Sequence, residues 1–212
     1  MSTLYIKCKI WNTAGQAVTP CCCYSKKVLL IGHSFARRAG KLCPFKIGNV
    51  VINASGVSGG GVKNLVHTWD EVGEEMKPDI VYIQSGENDI GSLPWKDIAD
   101  TLFRFAEAIS SEKIKVVIGS KFKRYKFRNP RMTLAKYNTY RKQINKYIKK
   151  KCRETNGTAK RIRFCRMFKP YQTKDRFLED GVHLTPATEL LWVKMIGTYC
   201  DKKVDMKLNV RS

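Results

Sequence analysis

The sequence predicts one domain of the α/β class, a three-layer α/β/α sandwich around a mainly parallel sheet of five strands. Two observations lead to this fold class. Five short runs of apolar, mostly β-branched residues are separated by longer segments, and those segments repeat apolar residues at helical spacing. The chain has 212 residues, of which 43% are hydrophobic, enough for a sizeable core. The sequence shows no internal repeat.

The predicted strands follow one another at regular intervals. They span residues 28–31, 50–52, 80–83, 116–118 and 162–165. Such runs are typical of buried parallel strands when helices separate them. Residues 1–25 contain apolar residues in alternation, and we expect there an N-terminal extension or an added edge strand, so that the main domain takes residues 26–212.

Helices are predicted between the strands. Apolar residues recur three or four positions apart over residues 62–76 and 98–109. A longer helix is expected from Thr133 to about residue 153, with a lysine-rich outer face. The last helix should begin near Thr185, a good N-cap residue, with Pro186 in its first turn.

Three stretches that are far apart in the chain together contain the groups needed for acyl transfer. They are Gly32-His33-Ser34, Gly86-Glu87-Asn88-Asp89 and Asp180-Gly181-Val182-His183. A serine hydroxyl becomes a good nucleophile when a histidine accepts its proton and a carboxylate orients that histidine. Ser34, His183 and Asp180 are the candidates for these three roles.

The predicted fold brings these stretches to one edge of the sheet. Ser34 follows the first strand, Gly59 lies in the loop after the second, and Asn88 follows the third. Asp180 and His183 come after the fifth strand. Because ligands bind beyond the carboxyl ends of parallel strands, we expect all five residues on the same rim.

These blocks, in this order, resemble the SGNH or GDSL-type hydrolases over roughly residues 27 to 200. The resemblance implies a flavodoxin-like SGNH hydrolase fold and hydrolysis of a small acyl ester, with acetyl as one option. It makes Ser34 the nucleophile, His183 the general base and Asp180 the residue that orients His183. The implied oxyanion hole consists of the backbone N–H groups of Ser34 and Gly59 and the side-chain amide of Asn88. The implied chemistry requires no metal and no other cofactor.

One residue departs from the family pattern. The family usually has Asp before the nucleophile, whereas this chain has His33. His33 either binds an anionic group or has a packing role in the turn, and we favour the packing role. The form Gly-His-Ser-Phe is similar to that of retrotransposon-encoded esterase domains, which suggests a mobile-element or viral origin. We expect Glu87 and Asp89 to hold their loop, with no catalytic role.

The positive charge is concentrated in one segment. The net charge is +22, and residues 113–174 hold 22 of the 40 Lys and Arg residues but one of the 18 acidic residues. Basic residues interleaved with aromatic ones predict a single-stranded RNA or DNA partner, or another polyanion. The candidate binding residues are Lys121, Lys123, Arg124, Lys126, Arg128, Arg131, Arg141 and Lys142. Residues 121–131 should border the mouth of the active site.

Two alternatives to a nucleic-acid-binding esterase stay open. One is a non-catalytic RNA-binding module on the same scaffold, and the other is an esterase drawn to anionic lipid headgroups. The sequence has neither an apolar run long enough to cross a bilayer nor an N-terminal signal-peptide pattern. Its eight cysteines are then expected to be mostly free thiols, and the protein to be soluble and intracellular, cytoplasmic or nuclear.

Overall fold

The computed structural model describes residues 10–11, 17–18, 25–127, 129–155 and 161–203. Its main sheet has six strands: β3 (Lys26–Gly32), β4 (Phe45–Ile47), β5 (Val50–Gly56), β6 (Ile80–Gln84), β7 (Lys115–Gly119) and β8 (Ile162–Cys165). Their order in the sheet is β4-β5-β3-β6-β7-β8, and only β4 runs antiparallel to its neighbour. The five parallel strands are the predicted ones, in flavodoxin-like order.

The prediction of five strands was wrong by one, because β4 extends the sheet at its edge. β4 has three residues, pairs only with β5 and contains an exposed lysine, Lys46. A strand this short shows neither a continuous apolar run nor a clear alternation.

Within the described residues, five α-helices cover the two faces of this sheet. They are α1 (Ser34–Ala39), α2 (Asn64–Met76), α3 (Trp95–Ile109), α4 (Leu134–Glu154) and α5 (Pro186–Lys203). Helices α2, α3 and α4 pack on one face, and α1 and α5 on the other. The three-layer sandwich and the four longer helices are therefore confirmed. α1 was not predicted, because six residues are too few to show helical periodicity.

The strand order positions the functional loops. β3 lies between β5 and β6, and the chain crosses to the other side of β3 between them, so a crevice opens at the carboxyl ends of β3 and β6. Gly32 at the end of β3 lies opposite Gln84 at the end of β6. A Cβ on Gly32 would stand 1.9 Å from the Gln84 carbonyl oxygen, so only glycine lets the two loops leave the sheet this close together.

The N-terminal segment is described only in part. β1 (Ile10–Trp11) and β2 (Ala17–Val18) form an antiparallel pair of their own and do not join the edge of the six-stranded sheet. The other residues of the predicted extension, up to residue 24, lie outside the described residues. Among the helices that the structure describes, none is long and apolar enough to cross a membrane.

Candidate active site

Ser34, His183 and Asp180 form a continuous chain of hydrogen bonds. The Ser34 Oγ lies 3.0 Å from His183 Nε2, and His183 Nδ1 lies 2.6 Å from Asp180 Oδ2. Because an ionised carboxylate only accepts hydrogen bonds, His183 Nδ1 carries the proton and its Nε2 is free to accept the serine proton. The three side chains thus stand in the order that activates a serine nucleophile.

The loop before α5 fixes the carboxylate of Asp180. Its Oδ1 accepts the backbone N–H groups of Val182 and His183 at 2.8 and 2.9 Å, while Oδ2 accepts the ring N–H of His183. Partial burial opposes ionisation, but these hydrogen bonds outweigh it and hold the pKa of Asp180 below its usual range. The carboxylate therefore stays ionised and keeps the His183 ring in one tautomer.

Ser34 is placed by the sharp turn between β3 and α1. It is the first residue of α1, and 6% of its surface is exposed. Its backbone N–H precedes the first hydrogen-bonded turn of the helix, where donors are unpaired, and it has no partner among the described residues. This N–H is therefore available to a substrate oxygen beside Oγ.

Among the three glycines of the loop after β5, one has a backbone N–H without a partner in the described residues. The N–H of Gly60 donates to the Val57 carbonyl at 3.1 Å, and the N–H of Gly61 donates to Asn64 Oδ1 at 2.9 Å. The N–H of Gly59 has no hydrogen-bond partner in the described part of the chain, and the residue lines the pocket at a φ of +73°. Of the three neighbouring glycines, Gly59 is thus the one with a donor to offer.

Asn88 is held at both ends of its side-chain amide. Its Nδ2 donates to the Gly60 carbonyl at 2.7 Å, and its Oδ1 accepts a hydrogen bond from the Arg124 guanidinium. The second N–H of Nδ2 remains for a substrate oxygen. A cation on the carbonyl oxygen also polarises the amide and strengthens its N–H groups as donors.

Asp89 ties the loops of Asn88 and Gly59 together. Its Oδ2 accepts the Val62 N–H at 2.9 Å, and a Cβ on Gly61 would stand 2.1 Å from its Oδ1. Burial raises the pKa of Asp89, although the Val62 hydrogen bond opposes the shift. Its position agrees with the expected role of holding the loop.

A second histidine lies on the inner side of Ser34. His33 is buried, its Nε2 lies 2.8 Å from Glu87 Oε2, and its Nδ1 lies 3.4 Å from Ser34 Oγ. Neither side chain of the His33–Glu87 pair is exposed to solvent. The His33 ring is therefore buried in the turn between the Glu87 carboxylate and Ser34 Oγ, so it both packs in the turn and binds an anionic group.

Glu87 is the acceptor of a buried charge cluster. Its Oε1 accepts the Phe122 N–H at 3.0 Å and an amide N–H of Gln84. Burial works against ionisation, but the Lys121 ammonium, the His33 ring and these donors outweigh it and hold the pKa of Glu87 well below its usual range. The cluster keeps a carboxylate charged in the interior beside the catalytic loop.

The predicted nucleic-acid contacts of Lys121 and Arg141 are wrong. Lys121 is 0% exposed, and its ammonium N–H donates to the carbonyl of Ser85, two residues before Glu87. Arg141 is 9% exposed and donates to the Lys121 carbonyl at 3.3 Å. Both charged groups therefore donate to backbone carbonyls inside the protein and do not face a nucleic acid.

The other predicted basic residues differ in position. Arg124 and Lys126 line the same pocket as Ser34 and His183, which has a volume of about 490 Å³. Lys123 is half-buried, whereas Arg131 and Lys142 are exposed. Arg128 lies outside the described residues. The rim of the active site is therefore basic, with fewer free cations than the sequence suggested.

Helix α4 carries a larger basic surface. A shallow hollow of about 610 Å³ is lined by Gln143, by Glu154, which pairs with Lys150 at 3.5 Å, and by six cationic or aromatic residues: Trp95, Lys146, Tyr147, Lys149, Lys150 and Arg153. The two aromatic rings meet edge to face, with their centroids 5.9 Å apart. We call these six residues the α4 basic face.

Three interactions were not predicted from the sequence: the hydrogen bond of Arg124 to Asn88, the pair of His33 with Glu87, and the effect of the Lys121 charge on Glu87. A signal for the second was present. His33 departs from the family pattern, and Glu87 stands at the variable second position of the Gly-x-Asn-Asp block. Because both follow neighbouring strands, a pair of histidine and carboxylate could have been proposed. No pattern marks which lysine of a basic segment turns inward.

Known proteins share both the sequence pattern and the fold. The family model of the GDSL-like lipases and acylhydrolases matches residues 32–196. Among solved structures, a GDSL-like lipase from Bacteroides thetaiotaomicron is 19% identical, with a TM-score of 0.67 over 84% of this chain and 89% of that chain. A putative acylhydrolase from Bacteroides fragilis is 18% identical, with a TM-score of 0.68 over 84% and 87%. An acetylxylan esterase from Geobacillus stearothermophilus is 20% identical, with a TM-score of 0.52 over 81% and 92%. No curated protein sequence matches the chain significantly.

Proposed function

Because the chain belongs to the GDSL-like lipase/acylhydrolase family and is thus a hydrolase acting on esters, we propose that it cleaves a small acyl ester through Ser34, His183 and Asp180. The observation that carries this proposal is the hydrogen-bonded chain from Ser34 Oγ through His183 to Asp180, with distances of 3.0 and 2.6 Å. All three positions are filled and joined, which favours an enzyme over a non-catalytic RNA-binding module on the same scaffold.

In the first half of the reaction, Ser34 Oγ attacks the ester carbonyl and its proton moves to His183 Nε2. The resulting imidazolium donates both of its N–H groups, one to Asp180 and one to the leaving alcohol. His183 is suited to this second task because its side chain is 28% exposed and lines the pocket. The products of this step are the free alcohol and acyl-Ser34.

Three donors converge on the oxygen that becomes negative in the tetrahedral intermediate. They are the N–H groups of Ser34 and Gly59 and the second N–H of Asn88 Nδ2. The support for this assignment is that all three residues line the pocket and that these donors have no partner among the described residues. Donors fixed in this way stabilise the transition state more than the ground state.

In the second half, water takes the place of the alcohol. His183 Nε2 accepts a proton from this water, which attacks the acyl carbonyl, and the proton then returns to Ser34 Oγ as the ester bond breaks. The basic pocket residues Arg124 and Lys126 favour a substrate that carries negative charge near the ester.

We propose that the acyl group of the substrate is small, with acetyl as one option. The fold neighbour from Geobacillus stearothermophilus is an acetylxylan esterase, and another neighbour is an acetyl esterase determined with an acetate ion. A series of p-nitrophenyl esters tests the proposal, since kcat/KM should be highest for acetate and fall as the acyl chain lengthens. Ser34→Ala should abolish hydrolysis of every ester, with His67→Asn as the control because His67 is exposed on α2 and pairs with Glu71. Highest kcat/KM for a long-chain ester would contradict the small-acyl assignment.

The polyanion partner is proposed to bind the α4 basic face. Helix α4 runs away from the rim at about 1.5 Å per residue, so Arg153 lies roughly 30 Å from Thr133 at the helix start. The aromatic pair on this face offers a stacking surface among cations, as in single-strand binding sites. A partner held there leaves the active-site mouth open, in contrast to the rim position that the sequence suggested.

Binding of a fluorescent single-stranded RNA over a salt series tests this surface. The triple variant Lys146→Glu, Lys149→Glu, Lys150→Glu should weaken binding strongly, whereas Lys126→Glu at the rim should change affinity little. The log-log salt slope should be about −0.7 per phosphate neutralised. Saturating RNA should leave p-nitrophenyl acetate hydrolysis unchanged. A flat salt response would refute nucleic-acid binding, and inhibition by RNA would place the partner at the rim.

We also propose an intracellular location, cytoplasmic or nuclear. The four described cysteines, Cys43, Cys152, Cys165 and Cys200, are free thiols, which suits a reducing compartment. A mobile-element or viral origin would explain why an esterase site and a basic face occur on one domain.

A further inference from the structure

The nucleophile faces two imidazole rings. His183 Nε2 approaches Ser34 Oγ from the pocket at 3.0 Å, and His33 Nδ1 approaches it from the interior at 3.4 Å. Each ring is anchored through its other nitrogen to a carboxylate, His183 to Asp180 at 2.6 Å and His33 to Glu87 at 2.8 Å. Ser34 thus stands between two carboxylate–imidazole pairs.

The tautomer of His33 follows from its partners. Glu87 only accepts hydrogen bonds, so the Nε2 of His33 carries a proton and donates it to that carboxylate. In the neutral ring, Nδ1 is then an acceptor aimed at Ser34 Oγ. This is the same arrangement that His183 presents to Ser34 from the other side.

The surroundings of Glu87 keep it able to support this role. The groups near the pair include the Lys121 ammonium, the Gln84 amide and the Phe122 N–H, together with Asp89, Tyr137 and Arg141. Lys121 and Glu87 carry opposite charges and balance each other. When His33 accepts a proton, its imidazolium forms beside a carboxylate that is already ionised.

We propose that His33 is a second general base for Ser34, supported by Glu87, and that it acts only in acylation. The proposal rests on the proposed function of Ser34 as the nucleophile. A distance of 3.4 Å is long for proton transfer, but such contacts shorten in the substrate complex. His33 is fully buried on the inner side of Ser34, whereas His183 lines the pocket. His33 therefore reaches the serine proton but neither the leaving alcohol nor the hydrolytic water.

Because His33 acts only in acylation, a protein without His183 should still acylate Ser34 but should not release the acyl group. Ser34 Oγ attacks p-nitrophenyl acetate while its proton passes to His33 Nδ1. The ester C–O bond breaks, and p-nitrophenolate leaves as a stable anion that needs no proton. The acetyl group then stays on Ser34, because no base faces the water that would release it.

The test compares His183→Ala with the double variant His183→Ala, His33→Asn, each mixed with p-nitrophenyl acetate. Asparagine retains an N–H group for Glu87 but has no basic nitrogen. The His183→Ala protein should release one equivalent of p-nitrophenolate and gain one acetyl group on Ser34, seen by mass spectrometry. The double variant should acylate at least about tenfold more slowly. Ser34→Ala gives the background, and His67→Asn with His183→Ala is the matched histidine control.

The outcomes separate this inference from the proposed function. If the wild-type protein does not hydrolyse the ester, the proposed function itself is wrong. If the wild-type protein hydrolyses it but His183→Ala and the double variant acylate Ser34 equally slowly, the second base is wrong while the esterase stands. A purely structural His33 predicts this equality.

A second readout needs no variant of His33. The chain has three histidines, so ¹⁵N-labelled rings are assigned with His67→Asn and His183→Ala, and His33 follows by elimination. Ser34→Ala should shift the Nδ1 resonance of His33 as well as the Nε2 resonance of His183. A His33 Nδ1 resonance that does not move would show that it does not contact the nucleophile, and would overturn the proposal.

Discussion

Replacing Glu87 by glutamine removes one negative charge from the protein interior and leaves the Lys121 ammonium without its main counter-charge. Both residues are fully buried, and Lys121 donates to the Ser85 carbonyl from within the core. Leaving a buried charge uncompensated costs about 3–5 kcal/mol. For a domain of this size, that corresponds to a fall in Tm of about 6–20 °C.

Urea unfolding measures this cost, and three further variants control it: Glu71→Gln, Lys121→Met and the double variant Glu87→Gln, Lys121→Met. Glu71→Gln removes an exposed carboxylate from a surface pair with His67, so its free energy of unfolding should change by about 1 kcal/mol or less. In the double variant Glu87→Gln, Lys121→Met, neither charge remains, so the loss should be smaller than the sum of the single losses by about 1–3 kcal/mol.

The effect of Glu87→Gln on the free energy of unfolding should depend on pH. The pKa of Glu87 is below its usual value in the folded protein, because Lys121, His33 and the N–H donors outweigh burial. Its stabilisation is therefore complete above the unfolded pKa of about 4.3 and is lost as the pH falls through the lower folded pKa. The difference in unfolding free energy between wild type and Glu87→Gln should narrow on acidification. A Glu87→Gln protein as stable as wild type at pH 7, with a parallel pH profile, would refute the buried charge cluster.

The other predictions concern catalysis. Asn88→Ala should lower kcat about 10²–10³-fold with little change in KM, because an oxyanion donor acts in the transition state; an unchanged kcat would remove Asn88 from the oxyanion hole. Arg124→Met should lower kcat less than Asn88→Ala and should add nothing in the double variant, since Arg124 acts on the oxyanion through Asn88; additive losses would indicate a separate role. Asp180→Asn should lower kcat by about 10⁴-fold, because an amide favours the wrong tautomer of His183, and a loss below tenfold would show that Asp180 does not orient the ring.

The sheet and the closeness of Ser34, His183 and Asp180 were predictable because both leave local signals. Buried parallel strands are continuous β-branched runs, and the loops at their carboxyl ends share a rim whatever the details of packing. Ser34, Asn88 and His183 could therefore be placed together from their positions after strands. β4 was not predicted because a three-residue edge strand with one lysine has no such signal.

The burial of individual basic side chains was the feature least predictable from the sequence. A run of basic residues does not reveal which side chains turn inward, because burial depends on partners from distant strands. Lys121 follows β7, and its charge acts on Glu87 in the loop after β6, while Arg141 donates to the Lys121 carbonyl. The glycine donor in the loop after β5 likewise required the backbone, since only the pairing of Gly60 and Gly61 singles out Gly59.

The most direct test of the account is the covalent state of Ser34 during turnover. Wild-type protein quenched with acid shortly after mixing with p-nitrophenyl acetate should carry an acetyl group on the peptide that contains Ser34, and the Ser34→Ala protein should carry none and show only background hydrolysis. Equal hydrolysis by the two proteins, with no acetyl group on Ser34, would contradict the central claim that Ser34 is the nucleophile of an esterase.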